Sequence, residues 1–173
     1  MAPTEMSGLS YFTRKTEFSE KRNRVKIDEE IKQSKFRSDF QKVVINLMYT
    51  SNWLATRQEE FFKPYGITVS QFNILRILRG QGMQSLSGAE LKSRMLERNS
   101  DVSRLLDRLA RKGLIVRTKS SSDKRAVDVR ISRKGLSVLS SIDQQIDQME
   151  KQLFKISRQE AKQLSQLLDK ARG

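Results

Sequence analysis

Apolar residues recur at helical spacing along residues 28–62, a stretch that contains neither glycine nor proline. This spacing predicts one long amphipathic helix. The motif Lys63-Pro64-Tyr65-Gly66 ends it, because proline disfavours helical backbone at the preceding residue and glycine tolerates a turn. A helix of this length exceeds what one small domain needs, so we expect it to reach a second subunit. Its apolar stripe consists of Phe40, Val43, Val44, Leu47 and Leu54, with Ser51 in line.

Three short helices are predicted next, each from a start signal. A capping box, in which the side chains at both ends satisfy free backbone N–H groups, marks the first two starts. The third helix runs to Lys112, before Gly113, a residue type that commonly follows a helix. The start signals are Thr68-x-x-Gln71, Ser87-x-x-Glu90, and an N-cap at Asn99 or Ser100.

Two strands follow, separated by a polar loop. Leu114–Arg117 is apolar and β-branched, and Val127–Ile131 alternates apolar with polar residues, as strands do. Residues 119–125 between them are polar, basic and rich in turn formers. The pattern predicts a β-hairpin with an extended basic tip.

A second long helix is predicted after Ser132. Its apolar residues alternate three- and four-residue steps, which is typical of a seam that packs on another helix. A third capping box, Ser157-x-x-Glu160, begins a last short helix. The seam consists of Leu139, Ile142, Ile146, Met149 and Leu153.

The order of these elements indicates a mainly α protein with a winged helix-turn-helix domain, in which three helices and a β-hairpin wing are flanked by N- and C-terminal dimerisation helices. We assign residues 67–132 to the winged helix DNA-binding region and residues 28–62 and 133–173 to the dimerisation helices, so that residues 28–173 form one domain. Residues 1–27 show no sustained period and are expected to form a mobile or loosely attached arm.

The 173 residues include no cysteine and no histidine. Their absence excludes disulfides and thiolate nucleophiles, and it removes the commonest general base and metal ligand. No glycine-rich phosphate loop replaces them, so we expect no enzyme, no metal and no cofactor. No run approaches about 18 apolar residues, and residues 1–27 lack the apolar core of a secretory signal. We therefore expect a cytoplasmic protein without membrane contact.

The charge is strongly positive and concentrated in one segment. Lysine and arginine number 34 against 20 acidic residues, a net charge of +14. Residues 92–135 hold fourteen basic and five acidic residues, and so carry nine of these excess charges. Such clustering favours a polyanionic partner, because each phosphate that a protein neutralises releases condensed counterions.

The third short helix has two opposite faces. Its apolar residues occupy positions i, i+3, i+4 and i+7, which predicts one buried face. The other face suits a major groove, because arginine binds guanine through two hydrogen bonds and serine bonds to bases or phosphates. The apolar set is Val102, Leu105, Leu106 and Leu109, and the polar set is Ser100, Arg104, Arg108 and Arg111, with Asp107 among them.

Three runs of sequence resemble the MarR-type winged helix-turn-helix transcription regulators. Residues 99–117 resemble the recognition helix and following strand of that family. Residues 123–135 resemble its wing, with Asp123-Lys124-Arg125 as an Asp-x-Arg motif, then an alternating strand and a Ser-x-x-Gly helix start. Residues 67–75 are similar to its second helix. The resemblance extends over roughly residues 35–170 and leaves the arm outside.

The resemblance implies a homodimer that binds double-stranded DNA at a pseudo-palindromic operator, and a repressor that a small organic ligand releases from DNA. Arg125 would enter the minor groove, and Asp123 would orient an arginine. Lys119 and Lys124 would contact phosphates. The residues assigned to DNA binding are Ser100, Ser103, Arg104, Arg108 and Arg111 in the recognition helix, and Lys119, Asp123, Lys124 and Arg125 in the wing.

Aromatic residues near the end of the first long helix are candidates for a ligand pocket. Without cysteine or histidine, thiol sensing is excluded and metal sensing lacks its usual ligands, which leaves a non-covalent organic inducer or none. For any single aromatic residue, a place in the dimer or domain core is the favoured interpretation. The candidates are Tyr49, Trp53, Phe62, Tyr65 and Phe72.

Two other classes of function fit the basic surface. A non-specific architectural or RNA-binding winged helix would bind in a salt-dependent manner without preference for any promoter. A protein-interaction module would keep its partner after removal of the charges at residues 104, 108 and 125.

Overall fold

The computed structural model is mainly helical with one small antiparallel sheet, and it confirms the predicted fold class. The chain forms two compact units, whose boundary in the sequence lies between Val69 and Ser70. The predicted arm lies outside the described residues, except for residues 25–27. The structure describes residues 25–82, 84–97, 100–119 and 127–173.

The first unit contains α1 (Ile27–Glu30) and α2 (Asp39–Phe62). The prediction of one continuous helix over residues 28–62 is therefore wrong. Lys32 has a φ of 54°, in the left-handed region, which a right-handed helix does not contain. Ser38 then caps α2, because its hydroxyl accepts the backbone N–H three residues later at 3.2 Å.

Two side-chain contacts hold α1 against α2. Nζ of Lys42 lies 2.9 Å from Oδ1 of Asp28, and this hydrogen bond lowers the pKa of Asp28. The hydroxyl of Tyr49 donates to Oε2 of Glu30 at 2.8 Å. Ile27, at the start of α1, is buried. Residues 25–27, the described part of the predicted arm, thus lead directly into the helical turn α1.

The end of α2 is as predicted. The helix stops at Phe62, a 3₁₀ turn follows at Lys63–Tyr65, and Gly66 has a φ of 66°. Glycine adopts this left-handed conformation without the steric cost that a Cβ brings.

The second unit confirms the predicted sequence of short helices, hairpin and C-terminal helices. The capping boxes that begin at Ser87 and Ser157 are both present, with reciprocal bonds between serine and glutamate. The sequence does not predict the first strand, because two residues are too few to show alternation. The elements are α3 (Val69–Gly80), β1 (Leu86–Ser87), α4 (Gly88–Arg94), α5 (Val102–Arg111), β2 (Ile115–Lys119), β3 (Val127–Ile131), α6 (Arg133–Leu153) and α7 (Arg158–Arg172).

The sheet has the strand order β1-β3-β2, with both pairs antiparallel. Leu86 pairs with Val129, and Ile115 pairs with Ile131. Cross-strand partners share a face of the sheet. Leu86, Val129 and Ile115 are all buried, so this face packs into the core of the unit.

The core of the second unit draws on α3, α4, α5, β3 and α6. Arg79 of α3 also forms an ion pair with Asp143 of α6, in which Nη2 donates to Oδ1 at 3.3 Å. The guanidinium holds the pKa of Asp143 below its ordinary value. The fully buried aliphatic side chains of this core are Ile74, Leu75, Leu78, Leu91, Leu109, Val129, Leu139 and Ile142.

One backbone junction joins the turn after α5 to the start of α6. The N–H of Ser132 donates to the carbonyl oxygen of Leu114 at 3.0 Å, and its hydroxyl donates to that of Gly113 at 2.7 Å. The same hydroxyl accepts the N–H of Gly135 at 3.0 Å. Ser132 therefore caps α6, as the Ser-x-x-Gly motif predicts, and also fixes the end of the recognition helix region.

The helices α2 and α7 each expose more than one large apolar side chain. On α2, the predicted stripe lies largely at the surface, and Phe40 is 84% exposed. No residue of α7 is buried, and Leu167 is 63% exposed. In the part of the chain that the structure covers, no helix is both long and apolar enough to cross a membrane.

Candidate nucleic-acid interface

The recognition helix α5 has one buried and one exposed face, as its sequence predicts. Val102, Leu106 and Leu109 are buried. The exposed residues opposite them are Ser103, Arg104, Arg108 and Arg111, while Ser100, just before the helix, is half-buried. At 3.6 residues per turn, the three arginines fall within an arc of about 60°, so one side of α5 is a cationic strip.

The N-cap of α5 is Asp101, so the predicted cap at Asn99 or Ser100 is wrong. Oδ1 of Asp101 accepts the backbone N–H of Arg104 at 3.1 Å, and Oδ2 lies 3.0 Å from Nε of the same arginine. The hydroxyl of Ser100 instead donates to the carbonyl of Glu97. Asparagine, serine and aspartate cap helices about equally well, so local sequence does not separate these neighbours.

The three arginines of the cationic strip differ in their partners. Arg104 shares the carboxylate of Asp101, yet 79% of its side chain is exposed. Arg108 and Arg111 form no ion pair with any described residue. Their guanidinium groups are available for charge-assisted hydrogen bonds to phosphates or base edges.

Asp107, the one acidic residue within α5, is bound by a strand. Its Oδ1 lies 2.6 Å from Nη1 of Arg117 in β2. The sequence places Asp107 on the exposed face of α5 but does not indicate this partner, which lies ten residues later in a different element.

The N-terminal ends of α4 and α5 line a groove of about 530 Å³. Lys92, Ser100 and Ser103 bring to it one ammonium group and two hydroxyls, groups that commonly contact DNA phosphates, while Asp101 brings a carboxylate that is paired with Arg104. The lining residues are Gly88, Ala89, Lys92, Ser100, Asp101, Val102 and Ser103.

Lys112 anchors the other end of α5. Its Nζ donates to Oε1 of Gln71 at 3.1 Å, and Gln71, near the start of α3, is only 1% exposed. The carbonyl of Lys112 accepts Nζ of Lys134 at 2.9 Å. These contacts tie the recognition helix to α3 and α6. The sequence indicates Gln71 as part of a capping box and does not indicate its contact with Lys112.

Of the predicted wing residues, the structure describes Lys119. It is the last residue of β2, is exposed, and pairs with Val127 at the start of β3. Asp123, Lys124 and Arg125 lie outside the described residues. The two strands that flank them form the predicted antiparallel pair.

The aromatic candidates for a ligand pocket are distributed over both units. Phe62 is 1% exposed, and its ring meets that of Phe61 edge-on, with 5.1 Å between centroids. Burial raises the pKa of Tyr65. Phe72, in the second unit, has the guanidinium carbon of Arg76 5.7 Å from its ring centroid. In the first unit lie Tyr49, Trp53, Phe62 and Tyr65, and their role in a pocket stays a prediction.

The described residues contain no group of three or more aspartate or glutamate side chains arranged to hold a metal ion. The helices and the sheet together form a winged helix-turn-helix domain, and its recognition helix presents arginine side chains at the surface.

The MarR family model matches residues 67–127, from just before α3 to the first residue of β3. This segment of the chain is therefore similar to the MarR family, and the resemblance inferred from its sequence is confirmed.

The chain is also similar to curated proteins that are named as transcription regulators. The HTH-type transcriptional regulator PapX of Escherichia coli is 31% identical over 77 residues, which are 44% of this chain and 47% of PapX. The HTH-type transcriptional repressor MdtR of Bacillus subtilis (strain 168) is 34% identical over 76 residues, 44% of this chain and 48% of MdtR. The chain spans about half the length of these curated relatives.

Solved structures extend the likeness beyond this domain. A mutant MarR from E. coli, complexed with operator DNA, is 27% identical with a TM-score of 0.64, and the match covers 73% of this chain and 91% of that one. A MarR transcription factor from Planctomyces limnophilus is 28% identical with a TM-score of 0.61, covering 78% and 98%. A MarR-like regulator from Bacillus cereus, 21% identical with a TM-score of 0.69 over 78% and 96%, shares the fold.

Proposed function

We propose that this chain is a dimeric, sequence-specific regulator of transcription that binds double-stranded DNA, acts as a repressor in the cytoplasm, and leaves DNA when a small organic ligand binds. The observation that carries the proposal is the exposed cationic strip of α5, formed by Arg104, Arg108 and Arg111 over a buried apolar face.

The strip has the dimensions and chemistry for a major groove. The groove of B-DNA admits one α-helix, and arginine on that helix can bind guanine through two hydrogen bonds. Arg108 and Arg111 have no carboxylate partner among the residues in the structure, so binding DNA would break no described ion pair of either side chain. The related MarR of E. coli is seen with operator DNA, which supports the same partner here.

The exposed apolar faces support a homodimer. Contiguous apolar side chains on a helix surface mark an interaction site, and a two-fold dimer buries the same patch on both copies. A dimer would also offer two recognition helices to half-sites about one helical turn of DNA apart. The side chains proposed for this interface are Phe40, Val43, Val44 and Leu47 of α2, with Leu164 and Leu167 of α7.

Repression and release by a ligand rest on the family. MdtR, which is 34% identical to this chain over 76 residues, is a repressor by name. The exposed Tyr49 and the half-buried Trp53 and Tyr65 offer apolar surface with polar tips, which suits a small organic molecule. Proteins of this kind regulate and do not catalyse, in keeping with a chain that lacks histidine and cysteine.

Selection of bound duplexes from a random 30-base-pair library tests the proposal. A sequence-specific dimer enriches a motif with two related half-sites, and its binding stoichiometry is two chains per duplex. Salt-dependent binding without enrichment would instead establish the non-specific architectural class. Absence of binding to both duplex DNA and RNA would leave the protein-interaction class.

A further inference from the structure

Asp107 lies where a negative charge opposes DNA binding. It precedes Arg108 directly and stands one helical turn from both Arg104 and Arg111, so it borders the cationic strip. More than half of its side chain, 57%, is exposed. A free carboxylate there would repel phosphates and would also attract the arginines beside it on the helix.

Arg117 reaches this carboxylate because of the register of the sheet. Arg117 pairs with Val129, and cross-strand partners share a face, so Arg117 lies on the face that carries the buried Val129 and Ile115. Its Nη1 is 2.6 Å from Oδ1 of Asp107, and the side chain of Arg117 is less exposed than that of Asp107, at 32%. Arg130, one position along β3 from Val129, belongs to the opposite face.

We propose that Arg117 is a positioning residue for DNA binding, which neutralises Asp107 and thereby keeps Arg108 and Arg111 free for DNA. The proposal rests on the proposed function. An aspartate on a helix pairs readily with an arginine four residues later or three residues earlier. In this fold Asp101 holds Arg104, Arg117 holds Asp107, and Arg108 and Arg111 are left without an ion pair among the described residues.

The test is a set of four proteins: wild type, Arg117→Gln, Asp107→Asn and the double variant. Their affinities are measured on two labelled 30-base-pair duplexes, one selected by the wild type and one of unselected mixed sequence. We expect Arg117→Gln to bind about tenfold more weakly. The slope of its log affinity against log salt concentration should fall by about the amount that one phosphate contact contributes. Asp107→Asn should bind at least as tightly as wild type. The double variant should bind with an affinity within about twofold of the wild-type value.

Rescue separates positioning from direct contact. If the double variant stays as weak as Arg117→Gln, Arg117 itself contacts DNA and the inference is overturned. Arg117→Lys keeps the charge and should retain most of the affinity. Arg130→Gln removes the same charge from the opposite face of the sheet. An equal loss of affinity in that control would show that net charge, and not the pairing with Asp107, causes the effect, and would overturn the inference. Thermal unfolding midpoints of all variants identify any loss that comes from unfolding.

The two duplexes keep this inference distinct from the proposed function. Equal binding of wild type to both duplexes would contradict sequence specificity, while the comparison of variants on the mixed duplex would still decide the role of Arg117. A wild type that binds neither duplex would overturn both.

Discussion

Gly135, in the first turn of α6, lies directly against the backbone carbonyl of Leu114. A Cβ at position 135 would overlap that oxygen and would approach Cγ1 of Ile131 to 2.8 Å. The contact occurs at the junction where Ser132 binds the carbonyls of Gly113 and Leu114. The absence of a side chain at residue 135 thus lets α6 begin beside the end of the recognition helix.

Replacement of Gly135 with alanine is expected to lower the free energy of unfolding by about 1–3 kcal/mol or more, because the nearest blocking atom, the carbonyl oxygen of Leu114, belongs to the backbone and cannot rotate away. Gly80 is the matched control, since it ends α3 without a positive φ, and a Cβ added there would have no neighbour within 4 Å. Gly80→Ala should be neutral or slightly stabilising. Urea unfolding measures both, and equal stability of Gly135→Ala and wild type would contradict the junction.

The ion pair between Arg79 and Asp143 should make stability depend on pH. The pKa of Asp143 is lowered in the folded state, so its ionised form adds stability above the unfolded-state pKa of about 3.9. That contribution is lost as pH falls through the folded-state value. Both side chains are about one-third exposed, which limits the effect of Asp143→Asn at pH 7 to about 0.5–1 kcal/mol.

Urea unfolding of wild type and Asp143→Asn at pH 7 and pH 3 checks this prediction, because the difference between the two proteins should shrink at the lower pH. Asp147→Asn, one turn further along α6, removes an exposed carboxylate that has no ion pair within the described ranges. A similar pH-dependent difference in that control would show that general charge, and not Arg79, is the cause.

The apolar stripe of α2 predicts a dimer that one charge can disrupt. Leu47 is 43% exposed at the centre of the stripe, and Leu47→Asp would bury a carboxylate between two copies. We expect the dimer dissociation constant to rise by about a hundredfold or more, since an unpaired buried charge costs several kcal/mol. Sedimentation equilibrium measures it. Asn52→Asp adds the same charge about 140° around the helix from Leu47 and should leave the dimer intact.

Sequence patterns predict those parts of the fold that short-range contacts determine. The reciprocal bonds at Ser87 and Ser157 and the buried face of Val102, Leu106 and Leu109 involve neighbours within one or two turns, so spacing alone reveals them. The break before α2 contains no glycine or proline that would reveal it in the sequence. It is stabilised by contacts between residues farther apart, such as the ion pair of Asp28 and Lys42.

The same distinction holds in the candidate interface. Residue type and spacing place the arginines of α5 on one exposed face, because a helix of known period needs no further information. The pairing of Asp107 with Arg117 depends on the register of β2 against β3 and on the packing of that sheet on α5. The bond from Lys112 to Gln71 joins residues 41 positions apart, and no local pattern encodes it.

Arg108 is expected to read or hold DNA directly. Arg108→Ala should weaken binding to the selected duplex by about 1–3 kcal/mol, because a bidentate contact to a base is lost, and the dimer should stay intact. Arg125→Ala in the wing should weaken it as well, through loss of a minor-groove contact. Arg158→Ala removes the same charge from α7 and serves as the control. Mobility-shift titrations measure all three variants, and wild-type affinity in both Arg108→Ala and Arg125→Ala would show that the interface lies elsewhere on the chain.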